Sequence, residues 1–374
     1  MRFQAKLAGV VACMLAIAVA GMPQSASAAD ECTGNPQQLA QLRPTLLGTS
    51  GGNIRSLIKS KKNGKLIGCF SGTLGSMVED AESNQYILSN NHVLADQNQA
   101  KPGQLILQPG LADLGCFQSP NDAVATFSRA VKLKFGGGKN TVDAAIAQVE
   151  PGQVDPEIMF IGPISSTVAT PVPGLPVQKM GRTSCLTTGV IQGFFGHLKV
   201  NYSDTRKPKL ASFENQIVIV GIGGKQFGGP GDSGSLIVTR DPCPLPVALL
   251  FAGSADGSLT FANPISEVLS KLNVSMVGTC IASSEAPDAD ALAASVGMSA
   301  EVVATTKAIR DRHEDQLMSI PGAVGSAIGA SDQPGQPEIV VYVKKMTPQV
   351  QAATPKDVEG TPVKIIGTGE IVAY

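Results

Sequence analysis

The sequence has 374 residues, a formal net charge of −1 and only 16% charged residues. So weak and balanced a charge gives no basic patch to neutralise phosphates, which excludes nucleic acid and anionic lipid as electrostatic partners. At this length two or three folded units are expected, each able to bury a core.

In chain order, Arg2 and Lys6 flank the start of an apolar run from Leu7 to Gly21, followed by the small-residue site Ala26-Ser27-Ala28. This predicts an export signal over residues 1–28, cleaved after Ala28, and a secreted or periplasmic mature chain. Val10-Val11-Ala12-Cys13 has the form of a lipoprotein site, but the apolar run continues past Cys13, so cleavage after Ala28 is preferred. No later stretch approaches the roughly 18 apolar residues of a membrane span. Residues 29–64 read as a polar N-terminal segment with a short helix around Gln37 to Leu42. From Lys65 to Ser275 short apolar runs, such as Tyr86-Ile87-Leu88, Ala144 to Ala147, Gln216 to Val220, Leu236 to Val238 and Val247 to Phe251, alternate with Gly, Pro, Asn and Asp. That pattern predicts a mainly β domain over 65–284. A Pro-rich connection near 151–176 divides it into halves, Lys65 to Glu150 and Val177 to Ser275. After a polar linker at 284–290, Ser299 to Leu317 predicts a helix capped by Ser299, with Val302, Val303, Ile309 and Leu317 as its core stripe. Strands over Glu338 to Lys344 and Val363 to Ile366 complete a small α+β domain at 285–374. No residue there carries chemistry, so its expected role is to gate a cleft or bind a partner or substrate.

Beyond Cys13 the cysteines are Cys32, Cys69, Cys116, Cys185, Cys243 and Cys280. An even number in an exported chain predicts up to three disulfides, with the pairing open. A zinc site is disfavoured, because no C-x-x-C spacing or nearby histidine supports it. No metal or cofactor is expected.

Chemistry concentrates in Gly229-Pro230-Gly231-Asp232-Ser233-Gly234-Ser235. The glycines allow a tight turn that projects the Ser233 hydroxyl, with the backbone N–H groups of Gly231 and Ser233 as oxyanion donors. A serine nucleophile needs a base. Of three histidines, His92 in Asn90-Asn91-His92-Val93 sits at the end of a predicted strand, whereas His197 and His313 read as packing or surface residues. Asp143 precedes the apolar run Ala144 to Ala147, and a carboxylate buried there needs a polar partner, which His92 supplies.

These three segments, Gly-Asp-Ser-Gly at 231–234, Asn-Asn-His-Val at 90–93 and Val-Asp-Ala-Ala at 142–145, resemble the signature segments of the trypsin-like serine peptidases, in the same chain order. The resemblance spans roughly Lys65 to Ser275 and is closest to the bacterial branch. It implies two six-stranded barrels with a His92–Asp143–Ser233 triad in the cleft between them, and a protein or peptide substrate. It also implies that Phe227 lies near the base of the primary pocket and Phe251 to Ser254, with Gly253, near its wall, favouring apolar or small side chains. The sequence departs from the family pattern in having Val93 where a loop cysteine is usual, no Ile-Val-Gly-Gly activation terminus and no convincing PDZ module. The expected function is therefore an exported serine endopeptidase. The alternative is a non-catalytic binding or adhesion protein on the same fold. Oligomeric state is not legible.

Overall fold

A computed structural model describes residues 32–60, 62–203, 208–281, 299–331 and 336–374. The predicted signal, Cys13 and the linker at 284–290 lie outside the described residues.

The fold is mainly β, built on two curled sheets. In the first, Thr49–Asn53 pairs with Leu105–Leu107, then follow Ala123–Ala130, Ala145–Val149, Gln85–Ser89 and Ser76–Glu79. Ser76–Glu79 runs on from Gly72–Leu74, which pairs back to Thr49–Asn53 and closes the ring. In the second, Leu210–Gly221, Thr260–Pro264, Pro246–Ser254, Leu236–Thr239, Pro176–Lys179 and Thr187–Asn201 pair in that order. Thr187–Asn201 then pairs again with Leu210–Gly221, closing a second ring of six strands. Each ring closes on itself, and this is the two-barrel architecture the resemblance implies.

The period-2 pattern explains the strands. Ala123–Ala130 alternates inward and outward residues over much of its length, while Pro246–Ser254 is buried throughout because it is covered on both faces. Leu88, Ile146 and Val124 fill the first barrel, and Ile191, Ile219 and Leu250 part of the second.

The N-terminal segment is not a mere approach to the domain. Its strand Thr49–Asn53 is a stave of the first barrel, and the helix expected around Gln37 to Leu42 is a single 3-10 turn, Pro36–Gln38. The C-terminal helix runs over Ala300–Met318, and the Ser299 side chain accepts from Val302 N. Ile309 and Leu317 pack on Ile339, Val341 and Val343. This α+β segment shares a sheet with the second barrel, because Ala323–Ala330 pairs antiparallel with Thr187–Asn201 through Phe194 and Ile328. Fully buried Arg310 ties the helix to the barrel by donating to the Phe195 carbonyl.

Topology settles the disulfides among the described residues as Cys32–Cys185, Cys69–Cys116 and Cys243–Cys280. Three bridges fit an extracellular or periplasmic protein. Among the described residues no helix is long and apolar enough to cross a membrane.

Candidate active site

His92 stands on the short helix Asn91–Leu94, directly after the strand Gln85–Ser89 of the first barrel. Asp143 follows from the loop before Ala145–Val149, the strand that pairs with Gln85–Ser89. Adjacent strand ends therefore bring the two side chains together, with His92 Nδ1 2.6 Å from Asp143 Oδ2. Asp143 is fully buried, and its carboxylate is saturated with donors. Oδ1 accepts from Asn91 N at 2.7 Å and His92 N at 3.3 Å; Oδ2 also accepts from the Tyr202 hydroxyl at 2.6 Å. Such bonds offset the cost of burying a charge. Asn90 Nδ2 donates to the Asp143 carbonyl, and Asp143 N donates to Asn263 Oδ1 on the second barrel.

Burial pulls the His92 imidazole down, but the Asp143 carboxylate and the Tyr374 carbonyl outweigh it and hold the ring above its ordinary value. Burial and Asp143 push the Tyr202 phenol far up, so it remains a donor. Its ring meets that of His92 edge to face, with centroids 5.7 Å apart.

Ser233 lies on the second barrel in the loop before Leu236–Thr239. The loop turns on Gly231 at φ +103 and Gly234 at φ +94, where a Cβ would come within 2.1 Å of Ser89 Oγ. The first barrel grips it, since Thr73 N donates to the Ser233 carbonyl at 2.8 Å and Thr73 Oγ1 to the Gly231 carbonyl at 3.1 Å. Among the described residues, the backbone N–H groups of Gly231 and Ser233 donate to no protein acceptor. Two unpaired donors flanking a serine hydroxyl are what an oxyanion would fill.

The Ser233 hydroxyl donates to the Phe251 carbonyl at 3.1 Å, while His92 Nε2 lies 3.0 Å from the Tyr374 carbonyl. Gly231 of the serine loop, His92 and Tyr374 thus line one cavity, but the Ser233 side chain is fully buried and, instead of projecting onto His92, is turned to Phe251. Phe227 is buried in the core cluster against which Tyr374 packs. Phe251 turns its ring inward onto Phe213, at 4.7 Å between centroids, and only its carbonyl reaches the site. Gly253 lies against the Tyr374 ring. A cavity of about 320 Å³ opens beside His92, lined in part by Phe70, Ser71, Arg182 and Gly231. His197 and His313 are elsewhere, paired with Glu314 and Glu359.

Three contributors have no signal in the sequence. Tyr202 lies in a polar stretch, Lys179, whose buried ammonium pairs with Asp232 beside Ser233, ends a strand, and Tyr374 follows an ordinary apolar triplet.

No protein-family model matches the sequence, and no curated protein matches it. Among solved structures, it is similar to Thermobifida fusca protease A, with a TM-score of 0.40 and 14% identity, over 63% of this chain and 98% of that one. A glutamic-acid-specific serine protease gives a TM-score of 0.40 and 17% identity, over 62% of this chain and 100% of the other. Cellulomonas bogoriensis chymotrypsin gives 0.38 and 15%, over 63% and 98%. These three solved structures are bacterial serine proteases of the trypsin and chymotrypsin type.

Proposed function

We propose that the chain is an exported serine endopeptidase. The observation that carries this reading is the His92–Asp143 pair sharing a cavity with the Ser233 loop, in which the N–H groups of Gly231 and Ser233 have no acceptor among the described residues. Ser233 Oγ attacks the carbonyl carbon of a peptide bond while His92 Nε2 takes its proton, and the N–H groups of Gly231 and Ser233 bind the oxyanion. The imidazolium, stabilised by Asp143, then gives its proton to the leaving amine. Water, activated by the same ring, frees the acyl group from Ser233. The signal at 1–28, cleaved after Ala28, delivers the chain to an oxidising compartment, where its disulfides form.

Labelling with a fluorophosphonate probe tests this, using Ser233→Ala as control. Label on the folded chain that disappears in Ser233→Ala is the expected result. If no form of the chain, including one without residues 371–374, takes Ser233-dependent label, the non-catalytic binding reading replaces this one.

A further inference from the structure

Residues 371–374 lie in the cleft. The strand Ile371–Ala373 runs antiparallel to Pro246–Ser254, with Ala373 opposite Ala252, Val372 opposite Gly253 and Ile371 opposite Ser254. Tyr374 N donates to the Phe251 carbonyl at 3.2 Å, and Ala255 N to the Glu370 carbonyl at 2.8 Å. The other edge lies parallel to Val200 and Asn201. The Tyr374 carbonyl ends 3.0 Å from His92 Nε2. Its ring enters the space beside Gly253, where a Cβ would stand 1.9 Å from Tyr374 Cζ, and its hydroxyl donates to the Ser254 carbonyl at 3.4 Å.

An extended peptide bonded to a strand edge, with one side chain in a pocket, lies as the acyl half of a substrate does, while the Tyr374 oxygen rests on His92 and not on the N–H groups of Gly231 and Ser233. We infer that residues 371–374 occupy the cleft as a tethered substrate mimic, so that the site takes polypeptides whose scissile carbonyl belongs to an aromatic residue and the chain holds itself inactive until this segment withdraws. The inference rests on the serine-peptidase reading.

Three features mark the segment as an occupant. The ring of six strands closes without it, as Thr187–Asn201 pairs directly with Leu210–Gly221. The Gly253 recess is filled by the Tyr374 ring, against an apolar cluster that includes Phe227, Ile191 and Ile219. The Tyr374 carbonyl also holds the His92 nitrogen that must receive the Ser233 proton, while the serine turns to Phe251. The cavity beside His92, walled by Val372 to Tyr374 on one side and by Phe70, Ser71 and Gly72 of the first barrel on another, stays open and leaves room for the leaving half of a substrate.

The test compares the intact chain with a variant ending at Glu370 and a full-length Tyr374→Gly variant, which keeps the strand should truncation disturb folding. Fluorophosphonate labelling and hydrolysis of Ile-Val-Ala-X reporter peptides, with X as Tyr, Lys or Glu, are measured for each. Both variants are expected to react about tenfold or more faster than the intact chain, because a short tether holds the segment at roughly millimolar effective concentration. They should prefer Tyr, and the free peptide Ile-Val-Ala-Tyr should inhibit the shortened form. Equal Ser233-dependent labelling and turnover in all three proteins, or a preference for Lys or Glu, would overturn the inference and leave the peptidase reading standing. Absence of label in all three, each folded by circular dichroism, overturns both.

Discussion

Lys179 and Asp232 form an ion pair at 3.3 Å with neither side chain exposed, one residue before Ser233. The carboxylate also accepts from Thr183 N at 2.8 Å, Ser184 Oγ at 2.6 Å and Gly229 N at 2.9 Å, while Lys179 donates to the Cys185 carbonyl at 3.2 Å. Burial pulls the ammonium below its ordinary value against the pull of Asp232. The pair fixes the Ser233 loop from within. Lys179→Met leaves Asp232 as an uncompensated buried charge and should cost about 3–5 kcal/mol. Urea unfolding measures this, and Lys179→Met combined with Asp232→Asn should lose less than Lys179→Met alone.

Tyr202, the residue after the strand Thr187–Asn201 of the other barrel, holds Asp143. Tyr202→Phe keeps the ring against His92 and removes one bond to a buried carboxylate, so it should cost about 1.5–3 kcal/mol of stability. With one donor fewer, Asp143 attracts the His92 proton more strongly. The acidic limb of the rate profile should therefore move to higher pH, a shift that loss of packing alone does not produce.

The raised His92 value has a definite sign in stability. Its folded value lies above the ordinary 6.5, so its contribution is present in full below about pH 6.5 and is lost as pH rises through the raised value. Urea unfolding from pH 5 to 9, compared with His92→Phe, should show this as a difference that shrinks with pH. Asp143 and Tyr202 face the Nδ1 side of the ring and Tyr374 the Nε2 side. With Nδ1–H given to Asp143, Nε2 can donate to the Tyr374 carbonyl only as imidazolium. The rate advantage of the chain ending at Glu370 should therefore shrink as pH rises, and its acidic limb should lie lower than that of the intact chain.

Gly253 has room for no side chain while the Tyr374 ring is in place. Gly253→Val should expel the ring and exclude aromatic residues from the pocket. Reporter peptides with Ala in the final position should then be cleaved faster than those with Tyr, reversing the order expected for Tyr374→Gly.

What the sequence discloses is local. Gly231 to Gly234 announces a tight turn because positive φ there demands glycine, and Asp143 next to an apolar run demands a partner because a lone buried carboxylate is costly. Strand positions follow from alternation, so Tyr86 to Leu88 falls inside Gln85–Ser89 and Leu236 to Val238 inside Leu236–Thr239. Contacts set by topology are silent. Tyr202 reaches Asp143 across 59 residues, and Thr183 reaches Asp232 across 49, with nothing in their neighbours to mark either contact. Disulfide pairing depends on which loops the barrels bring together. That residues 371–374 join Pro246–Ser254 is equally hidden, since an apolar triplet fits any open strand edge.

The shared strand Thr187–Asn201 carries a liability. Its residues Gly193 to Leu198 are covered by Ala323–Ala330, with Phe194 buried against Ile328. Cutting the chain near Ser284 would strip that cover and leave unsatisfied amides beside an exposed aromatic, a template for pairing between molecules. A protein shortened there is expected to self-associate, whereas one ending at Glu370 keeps the cover and stays dispersed. The C-terminal segment is thus also the second barrel's protection against aggregation.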